Sequence, residues 1–424
     1  MIACFAWTNT QIVNATNARI NIFADEEADL YVRMGPQISE TLIHAVELSG
    51  VYQNIYCVDP VHLNYNKLKF GIFRKFRVLF LESAYKKAYN NILNNICSGK
   101  EYNRIILTWF YAENVFFVNY WAKNTAKFSI TFLDEGTGSY CNNKKEMFFP
   151  VSLIGSFKER LKRFIAEWRM SKKYARYVDS ICMYRPEYCQ DDIDLKKIKI
   201  PVIDQKQNPT MYKIICDATK NLDSTHFIRY EKRRVYYFST FNPEGKTYDL
   251  RSIEILKIIT EISGKNAVIA KIHTNSSNHA KTFARSLEDI IFIDREKYIF
   301  EGLYIQIPNR TNKVLISVVS TTAIYPKFMF NEEPYIILTY RLYDTYRQLG
   351  VERDDRIAEI LLDSYTDKSR IMIPNSMYEL KNMLAIMLGK ERYVGNEYDI
   401  LFSENDGKIE NSNSDIEKMV NMGD

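Results

Sequence analysis

Residues 131–140, TFLDEGTGSY, combine an apolar run with two adjacent carboxylates and two glycines. The apolar residues predict a buried strand, and Asp134 and Glu135 follow it directly. Open α/β sheets bind their ligands at the carboxyl ends of their strands. Gly136 and Gly138 allow positive φ angles and a close approach of the backbone to a ligand. The stretch therefore predicts either a ligand site or a plain turn, because Gly and Asp are also common turn residues.

The rest of the chain predicts two domains of the α/β class. A length of 424 residues exceeds one ordinary core. Apolar runs alternate with helical periodicity, which predicts Rossmann-like parallel sheets at 1–200 and 210–402, facing a central cleft. The polar segment 191–209 predicts a linker, and 403–424 predict a polar mobile tail. The predicted strands are 1–7, 28–34, 54–59, 104–110 and 128–133 in the first domain, and 235–240, 267–271, 290–294, 313–319 and 335–340 in the second.

Composition and charge exclude several classes of protein. The net charge of +5 is modest and the opposite charges are mixed, which argues against a nucleic-acid binder. Seven cysteines without CxxC spacing argue against a disulfide framework or a zinc site and favour a reducing cytoplasm. The first ten residues do not form a signal peptide, and no apolar run is long enough to span a membrane. The sequence predicts a cytoplasmic protein.

Segment 157–176, FKERLKRFIAEWRMSKKYAR, is strongly basic. It carries eight Lys or Arg against two Glu, and Leu161, Phe164, Ile165 and Trp168 recur at helical intervals. Such an amphipathic helix can make a peripheral contact with the inner membrane, pack in a homodimer, or cover the protein's own core. All three interpretations are compatible with the pattern.

Three polar elements follow predicted strands of the second domain. Glu244 ends the FNPE turn after the first of these strands. His273 follows the next strand; imidazole suits proton transfer near neutral pH, although a single His is more often structural. Ser320 and Thr321 can cap a helix or, with the N–H groups of a helix start, hold a phosphate. Their shared placement at strand ends predicts one site facing the cleft.

Three of these segments resemble, in order, the motifs of bacterial sialyltransferases. DEG at 134–136, KIHT at 271–274 and ST at 320–321 are similar to the D/E-D/E-G, H-P and paired Ser/Thr motifs, in particular those of family 52 of the glycosyltransferases. Thr274 stands where that family has Pro. The resemblance implies a GT-B fold and inverting transfer of sialic acid from CMP-sialic acid to a surface glycan, lipooligosaccharide or capsule. It also implies that no metal or other cofactor is needed.

The resemblance assigns roles to individual residues. His273 is expected to protonate or hydrogen-bond the departing phosphate. A carboxylate must deprotonate the acceptor hydroxyl, and Asp134 and Glu244 are the candidates, with Asp249 as a substitute for Glu244. The expected donor-binding residues are Gly136, Thr137, Gly138, Lys271, Ser320 and Thr321.

Two other functional classes stay open. One is a GT-B transferase that uses another CMP-activated nonulosonic acid, Kdo or a UDP-hexose. The other is a non-catalytic GT-B relic that acts in binding or assembly. A screen of activated donors for nucleotide release distinguishes the possible donors of the first class, and a relic is expected to release nucleotide from none of them.

Overall fold

The protein is described by a computed structural model. It describes residues 1–35, 38–59, 77–97, 99–110, 114–125, 127–142, 172–220, 234–238, 246–264, 267–271, 290–292, 299–343 and 351–390. Glu244, His273 and the predicted tail 403–424 lie outside these residues, as does 157–171 of the predicted basic helix.

Within the described residues, the first domain contains a sheet of seven parallel strands. The strands are β1 (Ile2–Ala6), β2 (Ala28–Arg33), β3 (Asn54–Val58), β4 (Arg104–Leu107), β5 (Ser129–Leu133), β6 (Val178–Met183) and β7 (Lys196–Lys199). Their spatial order is β3-β2-β1-β4-β5-β6-β7. The helices along this part of the chain are α1 (Asn9–Asn21), α2 (Glu40–Leu48), α3 (Arg77–Cys97), α4 (Asn114–Asn124) and α5 (Thr137–Cys141). The IACFA run of β1 is wholly buried, as expected of a parallel strand covered on both faces.

The second domain contains a sheet of six parallel strands, again counted over the described residues. The strands are β8 (Val235–Phe238), β9 (Val268–Lys271), β10 (Ile290–Phe292), β11 (Val314–Ser317), β12 (Tyr335–Leu338) and β13 (Ile371–Met372). Their spatial order is β10-β9-β8-β11-β12-β13. The helices after β7 are α6 (Pro209–Asp217), α7 (Lys246–Ser263), α8 (Phe300–Gln306), α9 (Thr321–Phe330), α10 (Val351–Ser364) and α11 (Met377–Met387).

Both sheets follow the same topological rule. The strand order reverses between β1 and β4 in the first sheet and between β8 and β11 in the second. In open parallel sheets this switch point is where a crevice forms at the carboxyl ends of the strands. The predicted fold class, α/β with two Rossmann-like parallel sheets as in GT-B proteins, is confirmed.

One prediction about the chain between the sheets is partly wrong. Segment 191–209 was expected to be a linker, but Lys196–Lys199 forms β7 and pairs in parallel with β6. Three of its four residues are exposed lysines, which hide the strand in the sequence pattern. Lysines are common on edge strands because they discourage pairing with other chains.

Helix α10 joins the second domain to the first. Arg356 donates from Nε to the carbonyl of Tyr140 at 3.2 Å and from Nη2 to the carbonyl of Tyr188 at 3.3 Å. The Tyr188 hydroxyl donates to Asp363 at 2.8 Å. The ring of Tyr140 meets the ring of Phe328 on α9 edge to face, with centroids 5.0 Å apart. These contacts hold α5, at the carboxyl edge of the first sheet, against the second domain.

Candidate active site

The Asp-Glu-Gly turn joins β5 to α5 at the carboxyl edge of the first sheet. Gly136 has φ 94° and ψ −138°, a conformation that other residues rarely adopt. Its N–H donates to Asp134 Oδ1 at 2.7 Å, and the N–H of Glu135 donates to Ser139 Oγ at 2.7 Å. The side chains of Asp134 and Ser139 therefore stabilise the turn, in addition to the conformation of Gly136.

Asp134 is fully buried and surrounded by hydrogen-bond donors. The Tyr140 hydroxyl donates to Oδ2, and the N–H of Tyr184 donates to the same oxygen at 3.3 Å. Burial raises the pKa of Asp134 from its usual 3.8 to about 6, although these donors oppose the rise. A carboxyl group held in this way is suited to organising the turn. Its role as the base stays a prediction.

Glu135 is only half-buried, and its side chain lies near the switch point of the first sheet. Its Oε1 accepts a hydrogen bond from Gln11 Nε2 at 3.1 Å. The same Gln11 nitrogen lies 3.4 Å from Thr108 Oγ1. Gln11 follows β1 and Thr108 follows β4, so Glu135 sits beside the two loops that flank the reversal in strand order.

Glu135, the second acid of the turn, was not among the site residues predicted from the sequence. The signal was present in the doubled carboxylate of TFLDEG, since consecutive side chains of an extended segment point to opposite sides. Asp134 continues the buried strand, and Glu135 is the residue that leaves the core.

The turn contacts the start of α9 in the second domain. A Cβ atom at Gly136 would lie 2.8 Å from Thr321 Cβ and closer still to Cγ2 and Oγ1 of the same residue. The N–H of Thr137 donates to Thr321 Oγ1 at 3.3 Å. The structure therefore brings two of the three predicted motifs together, and glycine at 136 is required both for its backbone angle and for this approach.

Ser320 is the N-cap of α9, which confirms the capping interpretation. Its Oγ accepts a hydrogen bond from the N–H of Thr322 at 3.3 Å, and its backbone is extended. The segment that carries it follows β11, beside the switch point of the second sheet. Both Ser320 and Thr321 use their hydroxyl oxygens as acceptors here, which leaves their O–H protons able to donate. The capping role and a phosphate-binding role are thus compatible.

The remaining predicted site residues have different placements. A Cβ at Gly138 would lie 2.8 Å from the Trp109 ring, so this glycine gives room for an aromatic side chain that follows β4. Lys271 ends β9 and is half-exposed, with Nζ 6.0 Å from the ring centroid of Phe300. Register places it beside Phe238, the last residue of β8.

Other predicted features fall partly outside the described residues. Glu244 and His273 lie outside them, and of Asp249 the structure describes only the backbone, within α7. Across the described part of the chain, no group of three or more His, Cys, Asp or Glu side chains is placed to hold a metal ion. Metal independence stays an expectation from the sequence.

Comparisons with known proteins give distant structural likenesses. No family model matches the chain, and no curated protein matches it. S. aureus MnaA in a structure with UDP is similar at 11% identity and a TM-score of 0.46, over 93% of this chain and 99% of that one. UDP-GlcNAc 2-epimerase from Neisseria meningitidis, bound to UDP-GlcNAc, is similar at 11% identity and a TM-score of 0.45, over 92% of this chain and 98% of that one. An alpha/beta-galactoside alpha-2,3-sialyltransferase from Photobacterium phosphoreum is similar at 13% identity and a TM-score of 0.42, over 88% of this chain and 97% of that one. Likenesses this distant do not decide the activity.

Replacing Gly136 by Ala should destabilise the protein in two ways. The backbone angles of Gly136 cost about 1–3 kcal/mol for a residue with a Cβ, and overlap with Thr321 costs about 1–3 kcal/mol more. The matched control is Gly264→Ala, since Gly264 has φ 84° but no atom within 4 Å of the added Cβ. Free energies of unfolding from urea titration should fall further for Gly136→Ala. Equal losses for the two variants would refute the close approach of the domains at Gly136.

The buried carboxyl of Asp134 should make stability depend on pH. Because its pKa is raised in the folded protein, its contribution is full below about pH 4 and is lost as the pH rises through about 6. The loss is up to about 3 kcal/mol, since each pKa unit is worth about 1.4 kcal/mol. Asp354 also has a pKa raised by burial to about 6 and adds to the slope.

The contributions of Asp134 and Asp354 are separated by measuring the free energy of unfolding between about pH 4 and about pH 7 in wild type and in a variant that lacks one carboxyl group. Asp134→Asn should reduce the slope and leave the part due to Asp354. An unchanged slope in this variant would mean that Asp134 does not hold its proton on folding.

Proposed function

We propose that this protein is a glycosyltransferase that moves sialic acid from CMP-sialic acid to a hydroxyl of a surface glycan, lipooligosaccharide or capsule. Transfer inverts the anomeric centre and needs no metal ion. The proposal combines the motif resemblance with one structural observation, which is the contact between the Asp-Glu-Gly turn and the start of α9. Two segments singled out for acid–base and phosphate chemistry meet across the domain boundary.

Glu135 is proposed as the general base. Its carboxylate is half-buried and lies at the carboxyl edge of the first sheet, whereas both oxygens of Asp134 accept hydrogen bonds in the core. In the reaction the base takes the proton of the acceptor hydroxyl while that oxygen bonds to the anomeric carbon, and the bond to the CMP phosphate breaks. Two adjacent carboxyl groups in different environments can thus serve separate purposes. Glu244 stays a second candidate for the base.

The departing phosphate is proposed to bind at the start of α9. A helix start offers backbone N–H groups and the positive end of the helix dipole, and the hydroxyls of Ser320 and Thr321 add two donors. Such donors stabilise the charge that grows on the phosphate in the transition state. His273 is proposed to protonate or hydrogen-bond the same phosphate, and Lys271, Gly136, Thr137 and Gly138 to contact the donor.

The proposed partners are the CMP-sugar and the acceptor glycan. Among the described helices, none is both long enough and apolar enough to cross a bilayer. Contact of 157–176 with the inner membrane from the cytoplasmic side, or with a second copy of the chain, is part of the proposal.

Nucleotide release from a panel of donors tests the activity. With a lipooligosaccharide acceptor and a metal chelator present, CMP release from CMP-sialic acid should exceed release from CMP-Kdo or from UDP-hexoses. Glu135→Gln should lower the rate by about 100- to 10,000-fold, the usual contribution of a general base. Glu254→Gln, at an exposed position on α7, is the control and should retain the rate. Faster release of UDP, or no turnover of any donor, would overturn the proposal.

Ser320→Ala should weaken both stability and CMP binding. Loss of the cap costs about 1 kcal/mol of stability, and loss of a hydrogen bond to a charged phosphate lowers CMP affinity by about 1.5–3 kcal/mol. Ser376→Ala is the matched control, because Ser376 caps α11 in the same domain by accepting from the N–H of Glu379 at 3.1 Å. Urea unfolding and calorimetric titration with CMP measure the two effects. Equal CMP affinity in both variants would leave Ser320 as a cap alone.

A further inference from the structure

Helix α1 begins with a capping box whose glutamine has a second set of contacts. The sequence TNTQ at 8–11 matches the S/T-x-x-E/Q pattern. The N–H of Gln11 donates to Thr8 Oγ1 at 3.2 Å. The side chain of Gln11 reaches back, and its Oε1 accepts from the N–H of Trp7 at 2.7 Å, one residue before the cap. Gln11 is 1% exposed, so this cap is formed in the core.

The cap fixes the direction of the glutamine amide. Since Oε1 accepts from the N–H of Trp7, the NH₂ group is the end that faces Glu135 Oε1 at 3.1 Å and Thr108 Oγ1 at 3.4 Å. Either Glu or Gln can close a capping box. Only Gln has a donor to offer at the other end of the side chain.

We propose that Gln11 is a positioning residue that holds the Glu135 carboxylate ionised and directed toward the reacting acceptor hydroxyl. This inference rests on the proposed function, in which Glu135 is the base. A hydrogen bond donated to a carboxylate favours its ionised form. Because the amide itself is held by the backbone of Trp7, the orientation of Glu135 is tied to the start of α1.

Other carboxylates lie near Glu135, and a hydrogen-bond donor offsets their effect on its charge. Asp134 is in the same turn and repels a second negative charge whenever it ionises. Glu301 on α8 accepts from Thr10 Oγ1 at 2.9 Å, which places another carboxylate next to the first turn of α1. Among the described residues, other titratable or charged side chains on the elements around the turn include Tyr140, Tyr184, Arg185, Tyr325, Lys327, Arg353 and Arg356.

Gln11→Glu tests the inference with the cap preserved. A carboxylate at 11 can still accept from the N–H of Trp7, but it puts a like charge where Glu135 has a donor. The acidic limb of the pH dependence of kcat/KM for CMP release should move up by about one unit or more. At pH values below that limb, kcat should fall, whereas KM for the donor should change little.

Asn17→Asp is the matched control for this shift. It makes the same amide-to-acid change in the buried face of α1, where Asn17 donates to the carbonyl of Pro201 at 2.8 Å and does not contact Glu135. It is expected to lower stability and leave the acidic limb in place. An unmoved limb in Gln11→Glu, or an equal movement in both variants, would overturn the inference.

A second readout needs no substrate. Exchanging the two groups, as Gln11→Glu with Glu135→Gln, restores a donor and an acceptor in reversed positions. The double variant should unfold at higher urea than Gln11→Glu alone, by a wider margin at about pH 8 than at about pH 5, because repulsion requires both carboxylates to be ionised. If this pattern holds while no variant or wild type releases CMP, the proposed function fails and the Gln11–Glu135 interaction stands. Additive effects of the two substitutions at both pH values would overturn the interaction itself.

Discussion

The close approach of Gly136 to Thr321 is the contact on which the arrangement of the site depends. It places a turn at the carboxyl edge of one parallel sheet against a helix start at the carboxyl edge of the other. Behind it, the buried side chain of Asn14 donates to the carbonyl of Asp134 at 2.9 Å and to the Tyr325 hydroxyl on α9 at 3.3 Å. It also accepts from the Tyr184 hydroxyl at 3.0 Å. One amide therefore satisfies polar groups from both domains, and a buried polar network of this kind is stable only when its members stay together.

The two acids of the turn divide the structural and the proposed chemical work between them. Asp134 is closed in by Tyr140, Tyr184 and Gly136, and its raised pKa reflects the cost of burying its charge. Glu135 leaves the core and meets a neutral donor from Gln11. Adjacent residues in a tight turn can differ this much because consecutive side chains point to different sides of the backbone. Under the proposed function, one carboxylate serves the chemistry and the other shapes the loop that carries it.

Much of the fold could be predicted from the sequence because buried parallel strands are continuous apolar runs. β1 and β11 follow this rule, and their ends fell within three residues of the prediction. The KKIK strand at Lys196–Lys199 could not be recognised this way, since an edge strand is exposed and carries charge. Periodicity also cannot predict which of two neighbouring acids turns inward. The inward position of Asp134 depends on donors from Tyr140 in α5 and from Tyr184, which follows β6 and is distant in sequence. The Thr-x-x-Gln box at the start of α1 was a readable signal for the cap, but not for its second contact with Glu135.

A crystal structure of the protein with CMP and an unreactive analogue of its sialic acid conjugate tests the central claim most directly. The account predicts the phosphate within about 3 Å of Ser320 Oγ and the N–H groups at the start of α9, with the anomeric carbon on the side that faces Glu135. It further predicts that the Asp-Glu-Gly turn remains in contact with Thr321. A nucleotide bound away from α9, or an anomeric carbon that faces away from Glu135, would contradict the account.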